Sequence, residues 1–231
     1  PADQETRKAM AEKAAALAGK KTDFVPAGPT VDEACAQLAE ALLNGAEGLP
    51  KVKLIDKTQT MEKLTIADGE LYMAVPGKDL TMTVSGVGTN MKPGTYENVT
   101  LTVTESHLKT TGGPGGVHTH HFRTALFVKD GMIVEEKSVR AAILAGDISG
   151  EKAEHLKIND HEHMFNGVMV TGGKYEIDDA DLTFVGNGGN DFQGYGAGIM
   201  TTGDADVTVK NARIHVEGAI RSAVWCGGES H

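Results

Sequence analysis

The 231-residue chain carries 32 Asp and Glu against 22 Lys and Arg, a formal charge of −10, and 40% of its residues are hydrophobic. That length and apolar content suit one domain of ordinary size, or a domain plus a small appendage, with enough chain to bury a core. No run approaches the roughly 18 apolar residues of a membrane helix, and the basic residues are scattered, so neither a membrane nor nucleic acid is expected as a partner.

The first elements read as helices. Asp3 is placed to cap a helix over 3–17, with Met10, Ala14 and Leu17 on one stripe and Gly19 at the stop. A second follows a proline-bearing connection: Thr30 and Glu33 form a capping box, Val31, Ala34, Cys35, Leu38 and Leu42 share a face, and Gly45 sits beyond the end. Residues 1–48 are thus expected to be a helical segment, able to cap the domain formed by 49–231. Cys35 falls on the buried stripe and reads as a core thiol. With Cys226 as its distant companion there is no disulfide framework, which fits a reducing compartment. The start at Pro1-Ala2-Asp3 shows no basic-then-apolar leader, so a cytoplasmic location is the expectation, with a cleaved leader still open.

After Gly48 helical spacing gives way to alternation, clearest in Leu80-Thr81-Met82-Thr83-Val84 and Val99-Thr100-Leu101-Thr102-Val103. Pro76-Gly77, Pro93-Gly94 and the glycines of 112–116 punctuate these strands with turns. Residues 137–144 are ambiguous between helix and strand. Repetition is weak before 166 and clear from 167 onward.

Residues 175–186 align with 207–218 at a constant offset of 32. Tyr175/Val207, Ile177/Val209, Ala180/Ala212, Leu182/Ile214 and Phe184/Val216 coincide, as do the turn pair Asp179/Asn211 and the glycines Gly186/Gly218. Upstream, 167–172 matches 198–203 at an offset of 31, 223–227 begins a third copy, and 98–103 is a weaker one. Short strands recurring with turns describe one rung of a solenoid, which buries its apolar face only by stacking. Rungs would lie about 4.8 Å apart, placing Asp179 and Asn211 in a polar ladder at one corner. In these features the sequence resembles the right-handed parallel β-helix, or pectin-lyase-like, superfamily, over roughly 65–231 and most specifically over 167–227. The resemblance implies a mainly β fold with N-terminal helices; an antiparallel β-sandwich is the alternative. The third copy is cut short, so the expectation is either a fragment or processed chain, or a homo-oligomer or second subunit continuing the last rung.

The residues that could do chemistry cluster. Six of nine histidines fall between His118 and His163. Along a strand His118 and His120 share a face, as do His161 and His163, and such pairs can hold a divalent ion such as zinc, manganese, iron or nickel. The pairs are 43 residues apart, about 10 Å if two rungs separate them. Without metal, His120, His161 or His163 would serve as general acid or base tuned by Asp160 or Glu162, with Arg123 or Arg140 facing a developing oxyanion. The third reading is structural, with the rings hydrogen-bonded in turns. The long 187–197 loop brings Asp191, Phe192 and Tyr195 to one flank, either over a ligand or as a shield for apolar rungs. Arg221 and Trp225 of the last rung complete the candidate binding residues.

Family members cleave sugar acids with clustered aspartates, a calcium ion, or a His and an Arg, and none of those active-site patterns is matched here. The glycines of 112–116 lack the lysine and the strand-to-helix context of a nucleotide loop, so no nucleotide cofactor is expected. The leading expectation is an enzyme of lyase, hydrolase or isomerase type acting on a small hydroxylated or carbohydrate-like substrate. Its rival is a noncatalytic, adhesin-like scaffold.

Overall fold

The computed structural model describes the backbone of residues 50–106, 108–113 and 116–231, and their side chains except those of 108–120 and 191. The helices expected within 1–48, with Cys35, lie outside the described residues. What is described is mainly β, and among these residues no helix is long and apolar enough to cross a membrane. Contacts divide the chain into two units. The described part of the first is small, residues 50–54 and 66–73. It holds most of the two-stranded pairing of β1 (Lys51–Ile55) with β3 (Glu70–Ala74), where Lys53 and Glu70 form an ion pair of 3.4 Å.

The second unit opens with antiparallel strands. β4 (Lys78–Val84) lies between β5 (Val87–Thr89) and β6 (Gly94–Glu105), and β6 carries β2 (Gln59–Ile66) on its far side. The alternation read from the sequence appears as faces here: Leu80 and Met82 stand opposite Val103 and Leu101, while Thr81 and Thr83 oppose Thr102 and Thr100. Val99–Val103, the weaker copy of the repeat, is therefore a strand of this antiparallel sheet rather than a rung of the stack. β7 (Leu108–Gly113) and β8 (Gly116–His121) form a separate hairpin. β9 (Arg123–Lys129) and β10 (Met132–Ile133) follow. The ambiguous stretch 137–144 then resolves as parts of two short 3-10 turns, Glu135–Lys137 and Arg140–Ala142, leading into β11 (Ile143–Ile148), which pairs antiparallel with β12 (Lys152–Asp160).

From β12 onward the pairing with later copies is parallel. β13 (Phe165–Thr171), β14 (Lys174–Asp178) and β15 (Asp181–Val185) form one layer, and β16 (Ile199–Thr202), β17 (Asp206–Lys210) and β18 (Arg213–Glu217) form the next. Each strand pairs with its counterpart, Val168 with Ile199, Tyr175 with Val207 and Leu182 with Ile214, which is the register the repeat requires. β9 extends one ladder on the near side and β19 (Val224–Cys226) on the far side. β12 serves as the counterpart of both β14 and β15. Inside, Leu126, Val168 and Ile199 form one column and Ile158, Leu182 and Ile214 another, all fully buried except Ile214, which is half-buried in the last layer.

The bend between β14 and β15 is set by backbone sign. His155, Asp179 and Asn211 occupy equivalent corners, with φ of 54°, 50° and 50°. Short polar side chains tolerate this left-handed conformation because they bond locally. His155 Nδ1 lies 2.7 Å from Asp179 Oδ2, whereas Asn211 Nδ2 donates to Asp178 Oδ1 at 2.8 Å rather than to Asp179, so the corner is polar but its side chains do not bond in the single column expected. The hydrogen bond to Asp179 raises the His155 pKa above its ordinary value. Asp179→Val is expected to lower the unfolding free energy by about 1–2 kcal/mol, because a β-branched residue is held at positive φ. Asp179→Gly should cost less; urea titration of the two variants checks the difference.

Candidate functional site

Two arrangements stand out, and both gather where β4 and β5 meet the start of β9 and the end of β12. The first is a buried carboxyl pair. Asp160 occupies an interior position of β12, opposite Gly88 of β5 on one side and Phe184 on the other. A Cβ at Gly88 would stand 1.6 Å from Asp160 Oδ2, so the glycine makes room for the carboxyl. Asp160 Oδ1 accepts the Glu162 backbone N–H at 2.7 Å, and Glu162 Oε2 lies 3.3 Å from Arg123 Nη2. Asp160 Oδ2 and Glu162 Oε1 are enclosed and have no hydrogen-bond partner among the described residues. Burial pushes both carboxyl groups well above the usual carboxylate range, against the lowering influence of Arg123.

Two arginines tie this region together. Arg123 donates to the carbonyl of His163 at 3.0 Å and to that of Leu80 at 3.5 Å. Arg221 spends its guanidinium on three backbone carbonyls, Gly186 at 2.7 Å, Glu162 at 2.9 Å and Phe165 at 3.0 Å, and lies 5.5 Å from the centre of the Phe184 ring. A guanidinium presents its donors in a fixed fork, and here that fork clamps chain ends from adjacent layers. Arg140 instead pairs with Glu135 at 3.6 Å.

The second arrangement is open to solvent. His121 Nδ1 lies 3.1 Å from Asp79 Oδ1 and 3.5 Å from Ser106 Oγ. The Asp79 side chain is buried and that of His121 is about half exposed, at 54%. A carboxylate only accepts, so its contact at Nδ1 favours the Nδ1–H tautomer and leaves Nε2 as the basic nitrogen. Ser106 also lines a groove of about 610 Å³ that runs over the outer face of the β9–β13–β16 sheet. Phe127 and Met169 form its floor, and Lys129, Lys137, Thr171 and Thr202 stand along it. Outward residues of this sheet stack as the inward ones do: Phe127, Met169, Met200 and Trp225 are register partners across four strands.

The 187–197 loop covers part of that apolar row. Tyr195 is buried against Phe122 with ring centres 4.8 Å apart, and its hydroxyl donates to Gln193. Trp225 is half-buried; a Cβ at Gly194 would stand 2.7 Å from its indole, and one at Gly227 2.0 Å, so the ring packs against glycine backbone at two places. Phe192 is 88% exposed. The side chain of Asp191 lies outside the described residues. Of the four binding candidates described, then, Tyr195, Trp225 and Arg221 hold the loop and the layers, and Phe192 alone is fully presented to solvent.

The strands that carry the histidines belong to different sheets. His118 and His120 belong to the β7–β8 hairpin, opposite Thr111 and Lys109, and not to a ladder with β12. The two-rung spacing expected between the histidine pairs therefore does not describe their relation. His161 donates its backbone N–H to Gly88 and is exposed; His163 Nδ1 accepts the Asn187 N–H at 3.0 Å, fixing the start of the long loop. Among the described residues no three His, Cys, Asp or Glu side chains gather to hold a metal ion. Alternation beside Trp225 leads the sequence to favour a buried Cys226 over a reactive one, but the structure exposes it, with Trp225 taking the half-buried position of the pair. The residues that sequence reasoning passed over are Asp79, Ser106 and His121. A signal existed in the sequence: period-two alternation sets His121 out of phase with the His118–His120 pair and next to the apolar run of β9.

No family model, curated protein or solved structure matches the chain. Chemistry and register carry the functional reading from here.

Proposed function

We propose that the parallel layers from β9 to β19, residues 123–231, and not the antiparallel strands before them, form a right-handed parallel β-helix of the pectin-lyase-like kind, with the groove on its outer face serving a small hydroxylated or carbohydrate-like substrate. The in-register parallel ladders support the architecture. The observation that carries the enzymatic reading is the His121–Asp79 pair, joined through Ser106 to the end of the groove. Asp79 orients the imidazole, Nε2 takes or returns a proton, and Lys129 or Lys137 faces negative charge developing on the substrate. Thr171 and Thr202 offer hydroxyls at register-paired positions to a substrate rich in hydroxyl groups. The reaction class is lyase, hydrolase or isomerase, each needing a positioned acid or base.

Oligosaccharides, sugar acids and hydroxy acids, incubated with the purified chain and followed by mass spectrometry of the products, test this. Turnover of one class is expected. His121→Ala should lower kcat by about 10²–10⁴ while calorimetry shows binding of the same ligand retained. Full turnover in that variant would remove His121 from the mechanism. The noncatalytic scaffold is the second reading, and one observation favours it: His155 and His163 are used in contacts within the fold. Binding in the groove without conversion of any ligand would select it.

A further inference from the structure

Asp79 and His121 meet although no strand pairing joins the elements that carry them. β4 lies in the large sheet, β8 in the separate hairpin, and β9, which follows His121, in the sheet with β13 and β16. Among the described residues no ladder runs from β4 to β8 or β9, so the 3.1 Å contact between Asp79 Oδ1 and His121 Nδ1 depends on what holds those elements together. Such a contact tolerates little movement: a displacement of about 0.5 Å carries the ring nitrogen out of reach of the carboxylate.

One side chain crosses the gap. Arg123, which opens β9 just after His121, sends Nη1 to the carbonyl of Leu80, the neighbour of Asp79, at 3.5 Å. Its Nη2 donates to His163 O at 3.0 Å and lies 3.3 Å from Glu162 Oε2. The segment behind it is fastened on both sides. Arg123 N–H donates to Met164 O at 3.3 Å, His161 N–H to Gly88 O at 2.9 Å, and Asn90 Nδ2 to His161 O at 3.1 Å. Gly88 is in turn the register partner of Thr83 in β4. Residues 161–164 therefore hold the start of β9 and the β4–β5 pair in one frame, and Arg123 is the strut beside Asp79 and His121.

We propose that Arg123 is a positioning residue, which braces Leu80 against residues 162–163 and so sets Asp79 where it holds His121 in the Nδ1–H tautomer. This rests on the His121–Asp79 reading of the site. A guanidinium suits the task because its donors leave a rigid plane at fixed angles, so that one group reaches two carbonyls and a carboxyl at once. An ammonium keeps the charge and loses that span, which lets a lysine separate position from charge. The role also differs from the one expected of Arg123 beside an oxyanion: its side chain is only 20% exposed and is spent on contacts within the fold.

Proton–nitrogen correlation spectra of the imidazole rings in the whole chain test the proposal, with the His121 signals assigned by their loss in His121→Gln and the pH set where the ring is neutral. The wild type is expected to show a protonated Nδ1 and a bare Nε2. In Arg123→Lys and Arg123→Gln both nitrogens should shift toward the averaged pattern of a ring exchanging between tautomers, and either variant with a cooperative urea transition serves for the reading. Asp179→Val, which loosens the fold at the β14–β15 corner, should keep the wild-type pattern. Retention of Nδ1–H in a folded Arg123 variant would overturn the positioning role and leave the His121–Asp79 pair standing. The same shift in Asp179→Val would overturn it too, by reducing it to general loosening. A wild-type ring protonated on Nε2 would instead remove the pair itself, and the proposal with it.

Discussion

Phe184→Ala is expected to lower the unfolding free energy by about 3–5 kcal/mol, the largest effect of any single truncation in the stacked layers. The ring is fully buried, aligned between Asp160 and Val216, and two features are built around it. Gly167 leaves space for it: a Cβ there would stand 2.6 Å from the ring edge and 2.3 Å from the Gly198 carbonyl. Arg221 lies over the ring while holding three carbonyls of two layers. Removing the ring thus opens a cavity between layers and takes away the surface on which the guanidinium rests. Neighbouring layers relax little, because each is fixed above and below by backbone pairing. Urea denaturation will show the loss as a fall in midpoint at constant slope. A loss below about 1 kcal/mol would mean that the layers close over the gap.

The second large effect is a dependence on pH. Glu162 and Asp160 have folded-state pKa values raised by burial, so between the ordinary carboxylate value and the folded value the native state holds protons that the unfolded chain has released. Their stabilising contribution is full below the ordinary Glu value of 4.5 and is lost as pH climbs through the raised folded value. The wild type should lose a few kcal/mol over that window relative to Glu162→Gln, whose neutral amide needs no proton. The quantity to measure is the difference in unfolding free energy between the two proteins at each pH, which cancels the distant carboxylates they share and leaves Glu162 together with its neighbour Asp160. A difference that does not change with pH would show that Arg123 keeps Glu162 ionised and that its attraction outweighs burial.

The stacked layers were readable because a parallel ladder repeats its demands: Leu182 and Ile214 meet the same neighbours one layer apart, so the chain spells the same pattern twice. The corner was readable for the same reason at Asp179 and Asn211. Its third member, His155, was not, since it sits in the unbroken run Lys-Ala-Glu-His-Leu-Lys, and nothing local marks a bend whose only signature is a positive φ. The segment 159–163 reads as a polar surface turn. Asp160 and Glu162 are buried there because Gly88, more than seventy residues earlier, offers space, and that is a tertiary fact with no local trace. Asp79 and His121 are likewise brought together by the packing of a strand and a hairpin distant in sequence. Val99–Val103 shows the converse limit: alternation identifies a strand and says nothing of whether its neighbour runs parallel.

The left-handed corners also govern where this chain can change length. Adding or deleting one residue between 174 and 185 would shift Leu182 out of line with Ile158 and Ile214 and turn interior side chains outward, so those segments are fixed in size. The tip of the 187–197 excursion around Phe192 is under no such restriction, because the ends of the loop are held to the layers and the exposed tip is not. Foreign peptides inserted beside Phe192 would be carried on the surface while the stack beneath kept its spacing, which makes that tip the natural place to graft an epitope or a fluorescent tag.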